Sequence, residues 1–200
     1  MTEDRRQTIE YIVEQLIQKS FVVVDHVLPD QVVQNLHAEI IAADEENQLH
    51  HAKISQQGIQ ENSIRSDLIA WIDESNPSPA LKIYLDFLEQ LRLQINQEFQ
   101  LGLFEHEMHY TLYRAGSFYK KHVDQFKTNK SRQLSFILYL NADWQRQEGG
   151  ELMLFDEYDR VITKILPHAN QFVCFFSDIP HEVCITHRER LSVTGWFKSR

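Results

Sequence analysis

Three residues of the chain have the types and the spacing that bind a transition metal. His122 and Asp124 are two positions apart, so on an extended strand both side chains leave the same face. His181, far along the chain, would be the third ligand. Two imidazoles and one carboxylate on one side of an iron ion form a facial triad that leaves coordination positions free for small molecules. The three residues therefore predict a catalytic metal site.

The segment 190–197 is predicted to be a strand that lines a polar cavity. Alternate residues of a strand share a face, and one face of this segment is apolar. The other face carries a cation, two hydroxyls and an indole, in the order Arg190, Ser192, Thr194 and Trp196. Because a guanidinium can hold a carboxylate with two parallel hydrogen bonds, Arg190 favours a carboxylate ligand in this cavity.

Several segments, taken in order, resemble the 2-oxoglutarate and Fe(II)-dependent dioxygenases, and more narrowly the prolyl hydroxylases of the hypoxia-inducible-factor type and their bacterial relatives. They read YRAGSFYKKHVD at 113–124, LYLNADW at 138–144, GGELMLF at 149–155, PHEV at 180–183 and RLSVTGW at 190–196. A further stretch, IRSDLIAWI at 64–72, is similar to the segment before the substrate loop of those prolyl hydroxylases. The resemblance implies their fold and their oxidative chemistry.

The resemblance also implies a role for individual residues. His122, Asp124 and His181 would hold Fe(II), and Arg190 with Tyr139 would bind the distal carboxylate of 2-oxoglutarate. Other residues would line the cosubstrate pocket, namely Tyr113, Ile137 and Thr194. O2 would complete the reaction, which yields succinate, carbon dioxide and a hydroxylated product, with ascorbate as a candidate accessory reductant.

A substrate loop is implied by the same resemblance. Arg65, Asp67 and Arg132 are assigned to this loop, and Asp67 is expected to pair with Arg132. The polar, aperiodic segment 44–66 is a candidate cover for the active site, with an ordinary solvent loop as the alternative. Ordering of this segment on a peptide would indicate a protein substrate, whereas closure over a small cavity would indicate a metabolite.

Three functions follow from these residues. The leading hypothesis is a 2-oxoglutarate-dependent hydroxylase of the prolyl 4-hydroxylase type that acts on a protein or peptide, with a translation factor such as elongation factor Tu as one target. The second is a hydroxylase of a free amino acid or other small molecule. The third is a cupin-like module that senses iron or 2-oxoglutarate without turnover. Asp124 favours hydroxylation, because halogenating relatives replace this carboxylate with a small residue.

Composition excludes some classes of protein. The net charge of −9 argues against nucleic acid as a partner, because phosphate contacts need clustered Lys and Arg. No apolar run approaches membrane-spanning length, and the first residues do not resemble a signal peptide, so we expect no membrane partner and a cytoplasmic location. Cys174 and Cys184 are expected to be reduced.

Hydrophobic periodicity predicts an α+β fold in a single domain spanning residues 1–200. Residues 1–103 are mainly helical support and loop, with helices at 5–19, from 30 onward and at 81–99 and a strand at 21–24. Residues 104–200 are predicted to form the catalytic core, a jelly roll or double-stranded β-helix as in cupins. Its eight strands are placed at 107–113, 118–124, 133–140, 151–155, 161–165, 171–176, 182–187 and 190–198.

Overall fold

The computed structural model describes residues 3–52, 63–125 and 128–200 of the chain. Three helices belong to the first half, and they are α1 (Glu3–Lys19), α2 (Asp30–Glu45) and α3 (Pro79–Phe99). The strands of this half are β1 (Phe21–Asp25), β2 (His50–His51) and β3 (Leu68–Trp71). The second half holds β4 (Leu103–Tyr113), β5 (Tyr119–His122), β6 (Arg132–Tyr139), β7 (Leu152–Phe155), β8 (Val161–Ile165), β9 (Gln171–Phe176), β10 (His181–Val183) and β11 (Arg190–Ser199).

These bounds confirm the predicted helices and the eight predicted strands of the second half to within a few residues. The largest differences are β4, which begins four residues early, and β10, which ends at Val183 instead of 187. The short strands β2 and β3 were not predicted. Neither alternates clearly between apolar and polar residues, because β3 is apolar throughout and β2 consists of two histidines.

In the described parts of the chain the strands form two antiparallel sheets. The larger sheet has the order β1-β9-β6-β11-β4-β3-β2, and the smaller has the order β5-β10-β7-β8. Apolar side chains from both sheets meet in a shared core that includes Tyr139, Phe175 and Leu154. Two facing antiparallel sheets with this internal core are the jelly roll that the sequence predicted.

The three helices cover the outer face of the larger sheet. α3 contacts both α1 and α2, and it turns one apolar stripe toward the sheet, made by Tyr84, Phe87, Leu88, Leu91 and Ile95. On β6 the residues at even positions, such as Phe136, pack into this helical layer, whereas Ser135 and Ile137 face the other sheet. This alternation leaves the space between the sheets for the site.

Glu39 joins α2, α3 and β4. Ser78 is the N-cap of α3, and its hydroxyl accepts a hydrogen bond of 3.0 Å from the N–H of Leu81. The same hydroxyl donates to one carboxylate oxygen of Glu39 at 2.6 Å, and the Tyr110 hydroxyl donates to the other at 2.6 Å. The start of α3 is therefore fixed to the helix beside it and to the sheet below it. No helix among the described residues has both the length and the apolar character needed to span a membrane.

Replacing Ser78 with alanine is expected to destabilise the protein. Ser78→Ala removes the helix cap and one hydrogen bond to Glu39, which should lower the free energy of unfolding by about 1–2 kcal/mol and Tm by about 2–8 °C. Thermal unfolding followed by circular dichroism measures the change. Ser78→Thr keeps the hydroxyl and should retain most of the stability, and Ser75→Ala, at an exposed neighbouring position, is the matched control. Equal Tm values for Ser78→Ala and Ser75→Ala would contradict this account.

Candidate active site

The pairing of β5 with β10 brings two of the predicted metal ligands together. His181 lies directly opposite His122 in the antiparallel register, and the centroids of the two imidazole rings are 4.2 Å apart. Asp124 lies two residues beyond the end of β5. Each of the three residues offers one ligand atom, and these atoms all lie within 4.8 Å of one another. The carboxylate oxygens of Asp124 lie 3.6 Å from Nε2 of His122 and 3.4 Å from Nε2 of His181. The three predicted ligands therefore form one compact cluster.

Hydrogen bonds to the backbone fix both imidazole rings. Nδ1 of His122 lies 2.8 Å from the carbonyl oxygen of Lys120, and Nδ1 of His181 lies 2.9 Å from the carbonyl oxygen of Ile179. A carbonyl accepts but cannot donate, so Nδ1 carries the hydrogen and Nε2 keeps its lone pair. Burial, helped by neighbouring His122, lowers the pKa of His181 to about 4. Neutral imidazoles with free Nε2 atoms are the form that binds a metal ion.

The carboxylate of Asp124 is held by two buried serines. The Ser135 hydroxyl donates to Oδ2 of Asp124 at 2.7 Å, and its oxygen lies 2.9 Å from the Ser177 hydroxyl. Ser135 has only one hydrogen to donate, so Ser177 must donate to Ser135. The carbonyl oxygen of Ser177 also accepts the N–H of Asp124 at 3.1 Å. Burial alone would raise the pKa of Asp124, but His181, His122 and the Ser135 hydroxyl together hold the pKa well below its ordinary value.

Arg65 and Asp67, which were assigned to a substrate loop, reach the metal-ligand cluster. The Tyr119 ring stacks on the His122 ring with centroids 3.5 Å apart, and the Arg65 guanidinium lies 4.2 Å above the Tyr119 centroid. Arg65 also makes two parallel hydrogen bonds to Asp67, at 2.7 and 2.5 Å. The Asp67 side chain is completely buried, so this ion pair balances a buried negative charge.

The expected pairing of Asp67 with Arg132 needs correction. Asp67 pairs with Arg65, which is two residues away on the same side of the chain. Arg132 instead donates to Glu107 at 2.9 Å and lies 3.5 Å from the centroid of the Trp196 indole. The sheet register explains this choice, because β11 separates β6 from β4 and places Trp196 directly opposite Glu107. Arg132 therefore reaches across the indole to Glu107.

Arg190 is a buried cation that lacks a charged partner in the described residues. Its side chain is almost fully buried, with the guanidinium near the rings of Tyr113 and Tyr139. Nε donates to the carbonyl oxygen of Gly150 at 2.9 Å, and Nη2 donates to the Tyr139 hydroxyl at 3.2 Å. None of the ion pairs in the described parts of the chain includes Arg190. A buried guanidinium in this setting fits a ligand carboxylate.

One cavity of about 1210 Å³ contains these groups, and we refer to it as the central cavity. The metal-ligand cluster and Arg190 line it, together with the predicted pocket residues Tyr113, Ile137 and Thr194. Tyr139 is not among the lining residues, but it is buried with its hydroxyl 3.2 Å from Nη2 of Arg190. Three residues of the predicted substrate loop, Arg65, Asp67 and Arg132, are also on its wall. Of the candidate covering segment 44–66, residues 53–62 lie outside the described residues.

Sequence reasoning missed some of the cavity wall. Trp71, which was given no role in the site, is 58% exposed and lines the central cavity. His109 and Thr111 also line the cavity and were given no role. The sequence did contain a signal for both residues, because positions 109 and 111 of a strand share a face with the predicted pocket residue Tyr113. His109 is buried, and burial lowers its pKa to about 4.

The buried His109 should make folding stability depend on pH. Its pKa lies below the ordinary value of 6.5, so between pH 6.5 and 4 the unfolded chain binds a proton that the folded chain does not. Protonation of His109 therefore does not reduce the free energy of unfolding above pH 6.5, but it lowers this free energy as pH falls, by about 2 kcal/mol at pH 5. Urea unfolding at pH 7 and pH 5 should show a smaller loss for His109→Leu than for the wild-type protein. Equal losses in the two proteins would overturn this assignment.

Comparison with known proteins places the fold and the cluster in a family. Residues 108–198 match the model of the 2OG-Fe(II) oxygenase superfamily. The chain is 38% identical to a prolyl-4-hydroxylase from Pseudomonas putida of known crystal structure, with 96% of this chain and 99% of that chain covered and a TM-score of 0.87. A Trichoplax adhaerens prolyl hydroxylase, solved with a peptide fragment of the hypoxia-inducible-factor oxygen degradation domain, shares the fold at 21% identity. That comparison covers 98% of this chain and 91% of that chain, with a TM-score of 0.89.

Two curated sequences also match most of this chain. Human Egl nine homolog 1 is 27% identical over 199 residues, which cover 94% of this chain and 46% of the relative. The rat homologue is 26% identical over 197 residues, with 94% of this chain and 58% of the relative covered. The chain thus spans about half the length of the curated relatives it matches. With the P. putida similarity extending over nearly the whole of both chains, this chain belongs to the 2OG-Fe(II) oxygenase superfamily.

Proposed function

We propose that the protein is a 2-oxoglutarate- and Fe(II)-dependent hydroxylase of the prolyl 4-hydroxylase type. The observation that supports this most directly is the placement of two complementary sites in one cavity. His122, Asp124 and His181 offer two nitrogen atoms and one carboxylate to a metal, and Arg190 offers an unbalanced positive charge to an anion. A 2-oxoglutarate-dependent oxygenase needs both sites together.

The donor set fits Fe(II) and the cosubstrate. The free Nε2 atoms of His122 and His181 and the ionised Asp124 would hold the ion on one side. Arg190 and the Tyr139 hydroxyl would bind the distal carboxylate, while Tyr113, Ile137 and Thr194 would line its pocket. Bound together, iron, 2-oxoglutarate and O2 supply the oxidising power for C–H hydroxylation, with succinate and carbon dioxide released.

The chain itself would supply position and charge. Hydrogen bonds to backbone carbonyls would keep the His122 and His181 rings in the tautomer that presents Nε2, and the serine pair would keep the Asp124 carboxylate oriented and ionised. Apolar and aromatic walls, including Ile137, Phe175 and Trp196, would limit the access of water to the reacting groups. These contributions account for geometry, and the bound cofactor and cosubstrate account for oxidation.

A protein or peptide substrate with a target proline agrees with the similarity to the P. putida prolyl-4-hydroxylase. The aromatic side chains Trp71 and Trp196 line the central cavity, and such side chains suit an apolar ring. A translation factor such as elongation factor Tu, named by the resemblance of the sequence, is a suitable first protein to test. A free amino acid or metabolite, or cofactor binding without turnover, would be distinguished by measuring succinate.

Succinate formation provides the test of this proposal. Every reaction contains the protein, Fe(II), ascorbate and 2-oxoglutarate. The candidate substrate is varied between reactions: the protein fraction of a cell lysate, the small-molecule filtrate of that lysate, or one of a panel of proline-containing peptides. We expect the protein fraction and some peptides to stimulate succinate formation, with a mass increase of one oxygen on proline. His181→Ala should abolish the stimulation, because it removes one ligand. Stimulation by the filtrate alone would instead indicate a metabolite hydroxylase, and no turnover would indicate a sensing module.

Metal affinity should depend on the serine that holds Asp124. Ser135→Ala removes the hydrogen bond to Oδ2 and should weaken Mn(II) binding by about 10- to 100-fold, as outer-shell partners of metal ligands commonly do. Ser135→Thr keeps a hydroxyl and should recover most of the affinity. Ser131→Ala, in the same wall of the cavity but outside the Asp124 contacts, is the matched control. Mn(II) titration followed by electron paramagnetic resonance gives Kd directly, and an unchanged Kd in Ser135→Ala would show that this hydroxyl does not position the carboxylate.

A further inference from the structure

His109 is a buried titratable residue on the wall of the central cavity that the proposed chemistry does not use. It lies on β4, where His109, Thr111 and Tyr113 face the cavity. The intervening residues, Met108, Tyr110 and Leu112, belong to or pack against the core under the helices. Only 3% of His109 is exposed. The imidazole therefore belongs to the cavity wall and not to the outer surface.

The hydrogen bonds around His109 determine which ring nitrogen carries the hydrogen. The Thr111 hydroxyl donates to Oγ1 of Thr194 at 3.2 Å, which uses its single hydrogen. Nδ1 of His109 lies 2.9 Å from the Thr111 oxygen and 3.3 Å from the carbonyl oxygen of Tyr110, and both must accept. Nδ1 is therefore the donor. Nε2 of the neutral ring keeps a lone pair.

Nε2 of His109 has no hydrogen-bond partner within the described residues of the chain. Its ring neighbours are two indoles, with the Trp71 centroid 5.1 Å away at an angle of 86° and the Trp196 centroid 5.5 Å away. An aromatic face does not satisfy an imidazole lone pair as an N–H donor does, and the indole N–H of Trp196, which is itself buried without a hydrogen-bond partner in the described residues, makes no such bond to His109. Because His109 lines the central cavity, this lone pair is free to accept a hydrogen bond from a ligand there. The cavity thus presents an acceptor where a ligand would bind.

The sheet register separates this acceptor from Arg190. His109 pairs with Thr194 and Tyr113 pairs with Arg190, so His109 and the Arg190 end are four register positions apart, or about 13 Å along the strands. Ser135, which holds Asp124, pairs with Trp196, two positions along β11 from Thr194. His109 therefore lies on the part of the cavity wall that is nearer to Ser135 than to Arg190.

We propose that Nε2 of His109 accepts a hydrogen bond from an N–H group of the substrate and so acts as a specificity-determining residue. This inference rests on the proposed hydroxylase function. In a peptide the proline nitrogen carries no hydrogen, so the donor would be the backbone amide of the residue before or after the target proline. A free amino acid could present the same chemistry through its ammonium group.

The test combines variants with substrate analogues. The probe is the proline peptide that gives the fastest succinate formation, together with two analogues that are N-methylated at the residue before or after the proline. With the wild-type protein, one of the two analogues should show a KM about tenfold higher than the parent peptide, because its donor is removed. His109→Leu should raise KM for the parent peptide by a similar factor. The same analogue should then show no further loss, as a double-mutant cycle requires.

Control measurements separate this role from a structural one. KM for 2-oxoglutarate and Kd for Mn(II) should not change in His109→Leu, and His109→Gln, which keeps an acceptor, should recover some of the peptide affinity. A change in the 2-oxoglutarate KM would overturn the proposal, because His109 would then act through Thr111 and Thr194 on the cosubstrate. The proposal would also be overturned if N-methylation of the peptide raised KM in His109→Leu by as much as it does in the wild-type protein.

Failure of the His109 role and failure of the hydroxylase function give different results. If the wild-type protein forms succinate with a peptide but neither N-methylated analogue loses affinity, the role of His109 is wrong and the hydroxylase function stands. If L-proline is turned over and peptides are not, an increased KM for L-proline in His109→Leu would place the donor on the ammonium group. Failure of every peptide and amino acid to support succinate formation would overturn both proposals.

Discussion

The antiparallel pairing of β5 with β10 is the contact on which the site depends. It sets His122 opposite His181, although 58 residues separate them in the sequence, and it fixes the distance between two imidazoles through the spacing of the strands. Asp124 then joins them because its own N–H is held by Ser177, just after β9, and its carboxylate by Ser135 of β6. The metal-ligand cluster therefore requires both sheets to face each other, and any change that separates them would disperse the ligands.

The buried charges of the site differ in whether the protein itself balances them. Asp124 gains stabilisation from neighbouring imidazoles and hydroxyls, and Asp67 from Arg65, so both anions are balanced within the protein. Arg190 has only a carbonyl, a tyrosine hydroxyl and aromatic rings around it in the described residues. Burying a charge without an ionic partner is unfavourable, so stability alone does not account for Arg190 at this position. Its presence is understandable if a ligand anion completes the pair, which is how the cavity can select a carboxylate cosubstrate.

Periodicity could predict much of this structure because it reports which face of each element is buried. The faces of β6 and β11 and the stripe of α3 were predictable for this reason, as was the ligand cluster from the spacing of His122 and Asp124. Partners that lie far apart in the chain were not predictable in the same way. Whether Arg132 meets Asp67 or Glu107 depends on β11 lying between β6 and β4, and strand order leaves no local signal in the sequence. His109 was overlooked because its role depends on hydrogen bonds to Thr111 and on neighbouring indoles.

Gly195 shows how packing on one face of β11 serves the chemistry on the other. A Cβ at this position would lie 2.5 Å from the Glu107 carbonyl oxygen and 2.5 Å from the Phe136 ring, closer than real side chains approach. Only glycine lets β11 run between β4 and β6 while Phe136 fills the core under the helices. The neighbouring residues Thr194 and Trp196 consequently keep the register that turns both toward the cavity. The absence of one methyl group on the core side therefore sets the position of the hydroxyl and the indole on the functional side.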